Sequence, residues 1–270
     1  MLYQFKNKNI LRFLAVFMLL CITLSGCATV SASRSDFPEL THAQTTPPPA
    51  PPVDDRPRVA LTYDDGPHVT RTKLIVDELD KYGYHATFFV VGNRVDGSEY
   101  SGGSAMVYAA EHGNEIGIHG YTHDNNHKYS SCTDERYDYE ISNTVRAIQE
   151  KLPGYEIRLM RPIGGAISNV RVQESPYAII NWNVDTLDYA NKYDEGDPEK
   201  INTIVENALK DISDGDIILM HDIYNNTYEA TVIILARLHE MGYNVVTVSE
   251  LLGSDLCPGT RYTHAPKGVQ

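Results

Sequence analysis

The sequence predicts an α/β fold built on a parallel β-sheet, which is either open or closed into a barrel. Three observations predict it: short runs rich in β-branched and aromatic residues, longer amphipathic segments between them, and glycines at the ends of those segments. Parallel strands need a connection that crosses the sheet, and a helix usually supplies it. This alternation is therefore typical of a parallel sheet.

Seven runs are the strand candidates, in the order RVALTY, ATFFVV, NEIGIH, EIRLMR, AIINWNV, DIILMH and NVVTV. Each is short and apolar, as buried strands are. The segments between them have the helical spacing of apolar residues, for example TKLIVDELDKYG and 134–152. Gly83, Gly113 and Gly242 follow such segments in the position of a helix C-cap.

The first segment, 1–27, has the pattern of a bacterial export signal. Basic residues precede an apolar run, 13–24, that is too short to cross a bilayer comfortably. The run ends in Leu-Ser-Gly-Cys, which resembles the lipobox, where a peptidase cuts before the cysteine, here Cys27, and its sulfur is lipidated. We therefore expect an exported lipoprotein anchored in the bacterial cell membrane and facing the extracytoplasmic side. A plain signal peptide with an incidental cysteine is the alternative.

The rest of the chain divides into three parts. Residues 28–57 are rich in Ser and Thr and then in Pro, and we expect them to form a tether. The predicted globular domain spans 58–253. Residues 254–270 follow as a C-terminal tail without features of another domain.

The net charge of −13 over 270 residues disfavours binding to nucleic acid, which requires clustered Lys and Arg. We expect no nucleic-acid partner, and we expect a monomer.

Two cysteines, Cys132 and Cys257, lie outside the export signal. In an oxidising compartment they could form a disulfide, but two separate thiols are an equal alternative.

Polar residues follow the ends of five predicted strands. In parallel α/β barrels the carboxyl ends of the strands meet at one rim, and the active site lies there. The residues expected at this rim are Asp64, Asp65, His119, Arg161, Asp185 and His221.

Asp64 and Asp65 stand in the run TYDDGP. Adjacent carboxylates leaving a strand point in different directions, so one can bind a cation while the other faces a water molecule. An Asx-type turn with solvated acids is the alternative, and it is the commoner fate of Asp-Asp-Gly taken alone.

His119 and His123 are spaced four residues apart in HGYTH, so a helical turn would bring both imidazoles to one side. With one carboxylate they would form a facial triad that suits Zn²⁺ or another divalent transition metal. A pair of surface histidines is the alternative, and His123 with His127 has the same spacing. We prefer His119 because it closes the apolar run NEIGIH.

Arg161 begins Arg-Pro-Ile-Gly-Gly, whose glycines allow backbone N–H groups to approach a bound oxygen closely. Its guanidinium either orients a catalytic Asp or forms a salt bridge at the rim. His221 ends an apolar run and precedes Asp222, which favours a general acid; a core histidine bonded to the backbone is the alternative. Trp182 either packs in the core or lines a sugar-binding wall.

Taken in this order, TYDDGP, HGYTH, RPIGG and ILMHD resemble motifs of the NodB-homology polysaccharide deacetylases of carbohydrate esterase family 4, and the resemblance covers about 58–252. It implies a distorted (β/α)₇ barrel of parallel strands. It also implies removal of acetyl groups from chitin, peptidoglycan, related glucosamine polymers or xylan.

The resemblance implies roles in the reaction for five residues. Asp64 is similar to the catalytic base, and His221 is similar to the general acid. Asp65, His119 and His123 are similar to the family's metal-binding triad.

Supporting roles are implied for five more positions. Arg161 and Asp185 are similar to the pair that orients the base. The backbone near Gly164 is similar to the oxyanion donor, and Leu219 is similar to the contact for the acetyl methyl group. Tyr189 stands where a tryptophan often lines the substrate groove.

Two further positions differ from the family's usual residues, and both lie in loops rather than among the reacting groups. Gly120 stands where the family usually has Ser or Thr supporting a metal-binding histidine, and Ile163 stands near a usual Pro.

The expected activity is metal-dependent hydrolysis of acetyl groups on N-acetylglucosamine-containing polysaccharide, either peptidoglycan or a chitin-like polymer, with Zn²⁺ as the expected metal and Co²⁺ or another transition metal as alternatives. The expected partners are the acetylated polysaccharide and the membrane through the lipid anchor. An O-deacetylase such as an acetylxylan esterase is one alternative function. A non-catalytic carbohydrate-binding surface lipoprotein is another.

Overall fold

The structure is a computed structural model that describes residues 55–97, 101–125, 128–192 and 196–266. These residues belong to one compact unit, Pro52–Gln270. The predicted export signal with Cys27, almost all of the predicted tether and His127 lie outside the described residues.

The centre of the fold is a nine-stranded sheet in which all named strand pairs are parallel. The strand order is β6-β7-β1-β2-β3-β4-β5-β9, and β8 also pairs with β1. The strands are β1 (Arg58–Asp64), β2 (Thr87–Val90), β3 (Glu115–Ile118), β4 (Leu159–Met160), β5 (Ala178–Ile180), β6 (Val184–Asp185), β7 (Ile217–His221), β8 (Asn244–Val245) and β9 (Arg261–Tyr262). The predicted parallel sheet is confirmed.

Eight α-helices connect or flank these strands in the described parts of the chain. They are α1 (Arg71–Asp80), α2 (Gly92–Asp96), α3 (Gly103–Glu111), α4 (Asp134–Lys151), α5 (Asn169–Glu174), α6 (Pro198–Leu209), α7 (Asn225–Glu240) and α8 (Val248–Leu252). The predicted C-cap glycines follow α1, α3 and α7: Gly83, Gly113 and Gly242 have φ of +66°, +79° and +79°. Glycine adopts this left-handed conformation without the steric cost of a Cβ atom.

The predicted strand AIINWNV is two strands, β5 and β6, separated by three residues. Asn181 N–H bonds to Tyr262 O of β9, while Asn183 N–H bonds to Ile217 O of β7. These partners lie toward opposite ends of the strand order, so the sheet must curl until its two ends approach one another. At residues 181–183, between β5 and β6, the chain therefore passes from one end of the strand order to the other.

The sequence pattern predicted no strand in the tail 254–270, but β9 lies there and pairs with β5. Two residues are too short a run to show an alternating pattern. Ala265 is buried in the same apolar cluster as Tyr262 of β9 and Ile180 of β5, so the described part of the tail packs onto the sheet.

Alternate residues of each strand face opposite sides of the curled sheet. In β1, Val59, Leu61 and Tyr63 pack with the surrounding helices, whereas Ala60 joins a second apolar cluster on the other face. Asp64 lies four residues after Ala60, so its side chain points to the same face of β1 as Ala60. We call this face, opposite the surrounding helices, the inner face of the curled sheet. The same alternation in β7 places His221 with Ile217 on that face.

Cys132 is half-buried, Cys257 is exposed, and both are free thiols. In the described ranges, no helix combines the length and the apolar character needed to cross a bilayer.

Candidate active site

Asp64 and His221 end neighbouring strands and face one another in the sheet register. β2 and β3 follow β1 in the strand order, so His119, directly after β3, comes to the same rim. Arg161 directly follows β4, the next strand. Parallel pairing therefore gathers at one rim the residues that the sequence placed at strand ends.

Asp64 is held by a completely buried arginine. Arg161 Nη1 lies 2.8 Å from Asp64 Oδ1 and also donates to Thr62 Oγ1 at 2.7 Å. The guanidinium donates through Nε to Ile180 O and through Nη2 to Asn181 O, and it lies 4.3 Å from the Phe89 ring centroid. The guanidinium is thus held by four acceptors. Its bond occupies Asp64 Oδ1, and Asp64 Oδ2 receives no bond from Arg161.

Of the two alternatives drawn for Arg161 from the sequence, the structure shows the salt bridge, and its partner is Asp64, the acid that Arg161 was expected to orient.

Asp65 leaves the strand in a left-handed conformation, φ +71°, which turns its side chain away from that of Asp64. Its Oδ1 lies 2.9 Å from His123 Nε2 and 3.5 Å from His119 Nε2. The three ligand atoms lie within 4.8 Å of one another. The structure thus brings Asp65, His119 and His123 together as a potential metal site.

His119 presents a defined nitrogen to this site. Its Nδ1 lies 2.8 Å from Arg161 O, and a carbonyl oxygen only accepts, so Nδ1 carries the proton and Nε2 keeps a lone pair toward Asp65. Burial lowers the pKa of His119, against the raising effect of Asp64 and Asp65. The ring is therefore kept neutral, which is the form that ligates a metal.

His123 reaches the site by a route that the sequence did not predict. The i, i+4 spacing suggested a helical turn, but Gly120 and His123 have φ of +90° and +55°, so the segment is an irregular loop. The two imidazole centroids nevertheless lie 5.2 Å apart.

The donor set fits a divalent transition metal. Two imidazole nitrogens and one carboxylate oxygen are typical ligands of such ions, and three protein ligands leave positions open for water and substrate. Asp65 Oδ1 is buried, and no described residue gives it a hydrogen bond of acceptable geometry. Burial acts to raise the pKa of Asp65, but the His123 ring beside it and the electrostatic influence of the surrounding histidines lower it to well below its usual range. Asp65 is therefore ionised, and its Oδ1 faces the Nε2 atoms of both histidines.

The second titratable pair at the rim is His221 with Asp188. Asp188 is fully buried, and its Oδ1 lies 2.7 Å from His221 Nδ1. Its Oδ2 accepts from His221 N–H and from Thr227 Oγ1, each at 2.7 Å. Burial acts to lower the pKa of His221, but the bond to Asp188 and the charges of Asp188, Asp64 and Asp65 raise it to about 9.

Asp185 does not join either pair, although the family resemblance implied that it orients the base together with Arg161. It is half-buried, and its Oδ1 accepts from Leu187 N–H at 2.9 Å in a local turn. Leu187 has φ of +55°, and this reversal carries Asp188 inward. The spacing Asp-x-x-Asp was visible in the sequence, but which of the two acids points inward depends on the turn.

The remaining predicted positions surround His221 and Arg161. Leu219 is buried on the same face of β7 as His221, and Tyr189, 42% exposed, lies edge-on to the His221 ring at 5.7 Å. Gly164 lies in a 3₁₀ turn, Ile163–Gly165, with φ of +58°. Asn181 Nδ2 holds this turn by donating to Gly165 O at 3.2 Å.

Two other buried acids near the rim have contacts that the sequence did not indicate: Glu140 was not selected, and Asp222, expected to act on His221, gives way to Asp188 as the carboxylate bonded to that ring. Glu140 contacts the loop between His119 and His123. Asp222 lies against Gly66, where a Cβ atom would collide with the Asp222 carboxylate. The alternating patterns reveal burial, but they do not show which buried acid supports which loop.

A sequence model of the polysaccharide deacetylase family matches residues 52–178. The peptidoglycan-N-acetylmuramic acid deacetylase of Bacillus subtilis (strain 168) is 34% identical over 193 residues, which cover 72% of this chain and 38% of that protein. A peptidoglycan-N-acetylglucosamine deacetylase of Bacillus cereus (strain ATCC 14579) is 34% identical over 203 residues, which cover 72% of this chain and 87% of that protein. The chain spans about two fifths of the length of some of the curated relatives it matches, 38% and 43% in two cases.

Among solved structures, a family 4 acetyl xylan esterase from Clostridium thermocellum in complex with a cobalt ion has 27% identity and a TM-score of 0.67, over 77% of this chain and 99% of that chain. This likeness, with the parallel curled sheet, confirms the predicted distorted α/β barrel.

Proposed function

The chain belongs to the polysaccharide deacetylase family, and on that premise we propose that it is a metal-dependent hydrolase that removes acetyl groups from N-acetylglucosamine-containing polysaccharide. The observation that carries this proposal is the division of the two adjacent acids. Asp64 is fixed through Oδ1 by Arg161, with its Oδ2 3.6 Å from His119 Nε2, whereas Asp65 Oδ1 lies 2.9 Å from His123 Nε2 and 3.5 Å from His119 Nε2.

Asp65, His119 and His123 would hold the metal, with Zn²⁺ as the proposed ion and Co²⁺ or another transition metal as alternatives. When bound, a divalent cation supplies a Lewis acid for the acetyl carbonyl and for water. Asp64 is the proposed base. Its Oδ1 is occupied by Arg161, so Oδ2 accepts the proton of the attacking water.

His221 is the proposed acid. Its Nδ1 faces Asp188, which leaves Nε2 to deliver a proton. A pKa of about 9 keeps the ring protonated at neutral pH. As the bond from the acetyl carbon to the substrate nitrogen breaks, that nitrogen takes the His221 proton, and the products are acetate and the free amine.

Three further residues are proposed to bind the substrate. Leu219 would contact the acetyl methyl group, and the backbone near Gly164 would donate to the oxygen that gains charge. Tyr189 would form part of the wall for the sugar ring, in keeping with its exposure beside His221. We do not propose Asp185 as a residue that orients the base Asp64, because its carboxylate bonds locally to Leu187 N–H. We propose that Asp188 orients His221.

Peptidoglycan is the proposed polymer, because two relatives at 34% identity are named as peptidoglycan deacetylases. An O-deacetylase remains the second candidate, since a structural relative is named as an acetyl xylan esterase. Acetate release from peptidoglycan, chitin oligomers and acetylxylan separates the two, and release from acetylxylan alone would exclude the N-deacetylase.

We also propose export and lipidation at Cys27, so that the domain acts at the cell wall. Labelled palmitate should enter the wild-type chain in bacterial cells but not the Cys27→Ala variant. Equal labelling of both would remove the lipid anchor from the proposal.

The catalytic proposal is tested by comparing Asp64→Asn with Asp65→Asn. Asp64→Asn should bind Zn²⁺ with nearly wild-type affinity and lose acetate release, whereas Asp65→Asn should lose both. If the wild-type protein binds Zn²⁺ and polymer but releases no acetate from any of the three substrates, the chain is a carbohydrate-binding protein rather than an enzyme.

A further inference from the structure

The loop that carries His123 has no regular secondary structure. His119 is fixed by the end of β3 and by its bond to Arg161 O, but His123 follows a loop with left-handed residues at Gly120 and at His123 itself. Such a loop makes no ladder of its own, so its backbone groups need partners elsewhere in the protein. The position of His123 Nε2 therefore depends on what holds this loop.

One buried carboxylate supplies those partners. Glu140, on α4, is 1% exposed, and its Oε2 accepts from Tyr121 N–H at 2.6 Å and from Thr122 N–H at 2.8 Å. Its Oε1 accepts from Thr122 Oγ1 at 2.5 Å. Arg136, one turn earlier on α4, lies 2.6 Å from the same oxygen and balances the charge.

The other side of the loop is held by α2. Gly92 N–H donates to Gly120 O at 2.9 Å, and Asn93 N–H donates to Tyr121 O at 3.0 Å. The loop carbonyls of residues 120 and 121 therefore accept from the N-terminus of α2, while the loop amides of residues 121 and 122 donate to Glu140. Together these bonds fix the loop on both sides immediately before His123.

The loop also lies close against the core at Gly120. A Cβ atom there would collide with the Tyr129 hydroxyl, which is completely buried, and would lie 3.2 Å from Glu140 Oε2. The backbone can approach these groups only because position 120 is glycine. The contact between the loop and Glu140 is therefore part of the packed structure and is more than a surface ion pair.

From these contacts we propose that Glu140 is a positioning residue of the metal-binding loop: it places His123, and thereby sets the affinity of the Asp65, His119 and His123 site for a divalent metal. This inference rests on the proposed metal centre but not on the proposed hydrolysis. A buried carboxylate is costly unless it is paired and hydrogen-bonded, and here its bonds go to this loop and to Arg136.

The test is the affinity of the purified full-length protein for Zn²⁺, measured by competition with a chromophoric chelator, together with the visible spectrum of the Co²⁺ form. Glu140→Gln keeps the shape but replaces one carboxylate oxygen with an NH₂ group, which would face the donors Thr122 Oγ1 and Arg136. Loss of such an outer partner typically weakens metal affinity by about 10- to 100-fold. We expect a weakening of that size and an altered Co²⁺ spectrum.

Glu150→Gln is the matched control. Glu150 lies on the same helix and pairs with Arg146 one turn earlier, as Glu140 pairs with Arg136, but its side chain is 54% exposed. It should bind Zn²⁺ as the wild type does. Equal affinities and spectra for Glu140→Gln and the wild type would overturn the proposal.

If Glu140→Gln does not fold, Thr122→Val is the second test, because it removes only the Thr122 hydroxyl, which donates to Glu140 Oε1 and accepts from Arg136 Nη2, and it retains Glu140 itself. Weaker Zn²⁺ binding by this variant supports the proposal, and unchanged binding overturns it. A wild-type protein that binds neither Zn²⁺ nor Co²⁺ would overturn the metal centre and this inference together. Metal binding without acetate release would contradict only the proposed hydrolysis.

Discussion

His221 Nδ1 lies 2.7 Å from Oδ1 of the fully buried Asp188. Asp188 also accepts from Thr227 Oγ1 and from the backbone of His221, so its position does not depend on the imidazole alone. A carboxylate fixed in this way stabilises the protonated ring and leaves Nε2 toward the rim. The protonation of His221, and with it the proposed proton delivery, is therefore governed by Asp188.

We predict that Asp188→Asn moves the alkaline limit of activity to lower pH. In the wild type the limit should lie near pH 9, where His221 loses its proton. Without the Asp188 bond and charge, only Asp64 and Asp65 oppose the lowering effect of burial, so the pKa of His221 should fall from about 9 toward its ordinary value of 6.5. The pH profile of kcat/KM and an NMR titration of His221 measure the shift.

Asp185→Asn is the control for this prediction, because Asp185 bonds only locally to Leu187 N–H among its described contacts. Its alkaline limit should stay near that of the wild type. A shift with Asp185→Asn and none with Asp188→Asn would mean that Asp185, rather than Asp188, governs the protonation of His221.

A second prediction concerns the buried Asp222. Burial raises its pKa to about 7, with a further contribution from the Asp65 charge and against the bond from Thr72. The folded state therefore holds a proton that the unfolded chain, with a pKa near 3.8, has released, so the free energy of unfolding falls as pH rises from about 4 through 7. Asp222→Asn cannot ionise and avoids this loss.

Relative to the wild type, Asp222→Asn should gain roughly 2–3 kcal/mol of unfolding free energy between pH 5 and pH 8. Urea unfolding of chelator-treated protein at both pH values measures the change. Asp211→Asn, at an exposed position, should show no comparable gain. A gain that is equal at both pH values would show that Asp222 is ionised throughout.

The sequence revealed the longer strands because each lies in a short, continuous apolar run, and such runs are buried on both faces of the sheet. β9 and the division between β5 and β6 were not visible, since they depend on pairing with distant partners such as Tyr262 and Ile217. Asp65, His119 and His123 could be proposed from motifs and strand ends, and the structure brings them together. Asp188 could not be distinguished from Asp185, because the turn at Leu187 decides which acid is buried.

A third prediction follows from the close approach of Gly66 to Asp222. A Cβ atom at Gly66 would overlap the Asp222 carboxylate, which is fully buried and cannot swing into solvent. Gly66→Ala should therefore lower the free energy of unfolding by about 1–3 kcal/mol, the usual cost of overpacking. Urea unfolding measures the loss.

The double variant Gly66→Ala/Asp222→Ala serves as the control, because Asp222→Ala removes the atoms that would clash. Residues in direct contact show coupling of about 0.5–3 kcal/mol in such cycles. The two substitutions should cost less together than the sum of their separate costs. Additive effects would mean that Gly66 is needed for another reason.

The last prediction separates the charge of Arg161 from its geometry. Arg161→Lys retains a cation for Asp64 but loses the planar fork that reaches Ile180 O and Asn181 O. It should reduce kcat while it leaves Zn²⁺ binding nearly intact. Arg161→Met leaves the buried Asp64 carboxylate without its partner and should cost about 3–5 kcal/mol of unfolding free energy.

The double variant Arg161→Met/Asp64→Asn removes both charges and should recover much of the stability lost by Arg161→Met alone. Acetate release should stay absent, since the proposed base is gone. Urea unfolding and acetate release, measured on the three variants, separate the two effects. Arg161→Met destabilises the protein because it leaves the Asp64 charge unpaired, whereas catalysis is proposed to need the Asp64 carboxylate itself. The double variant should therefore regain stability without regaining activity. Recovery of both would exclude Asp64 as the base.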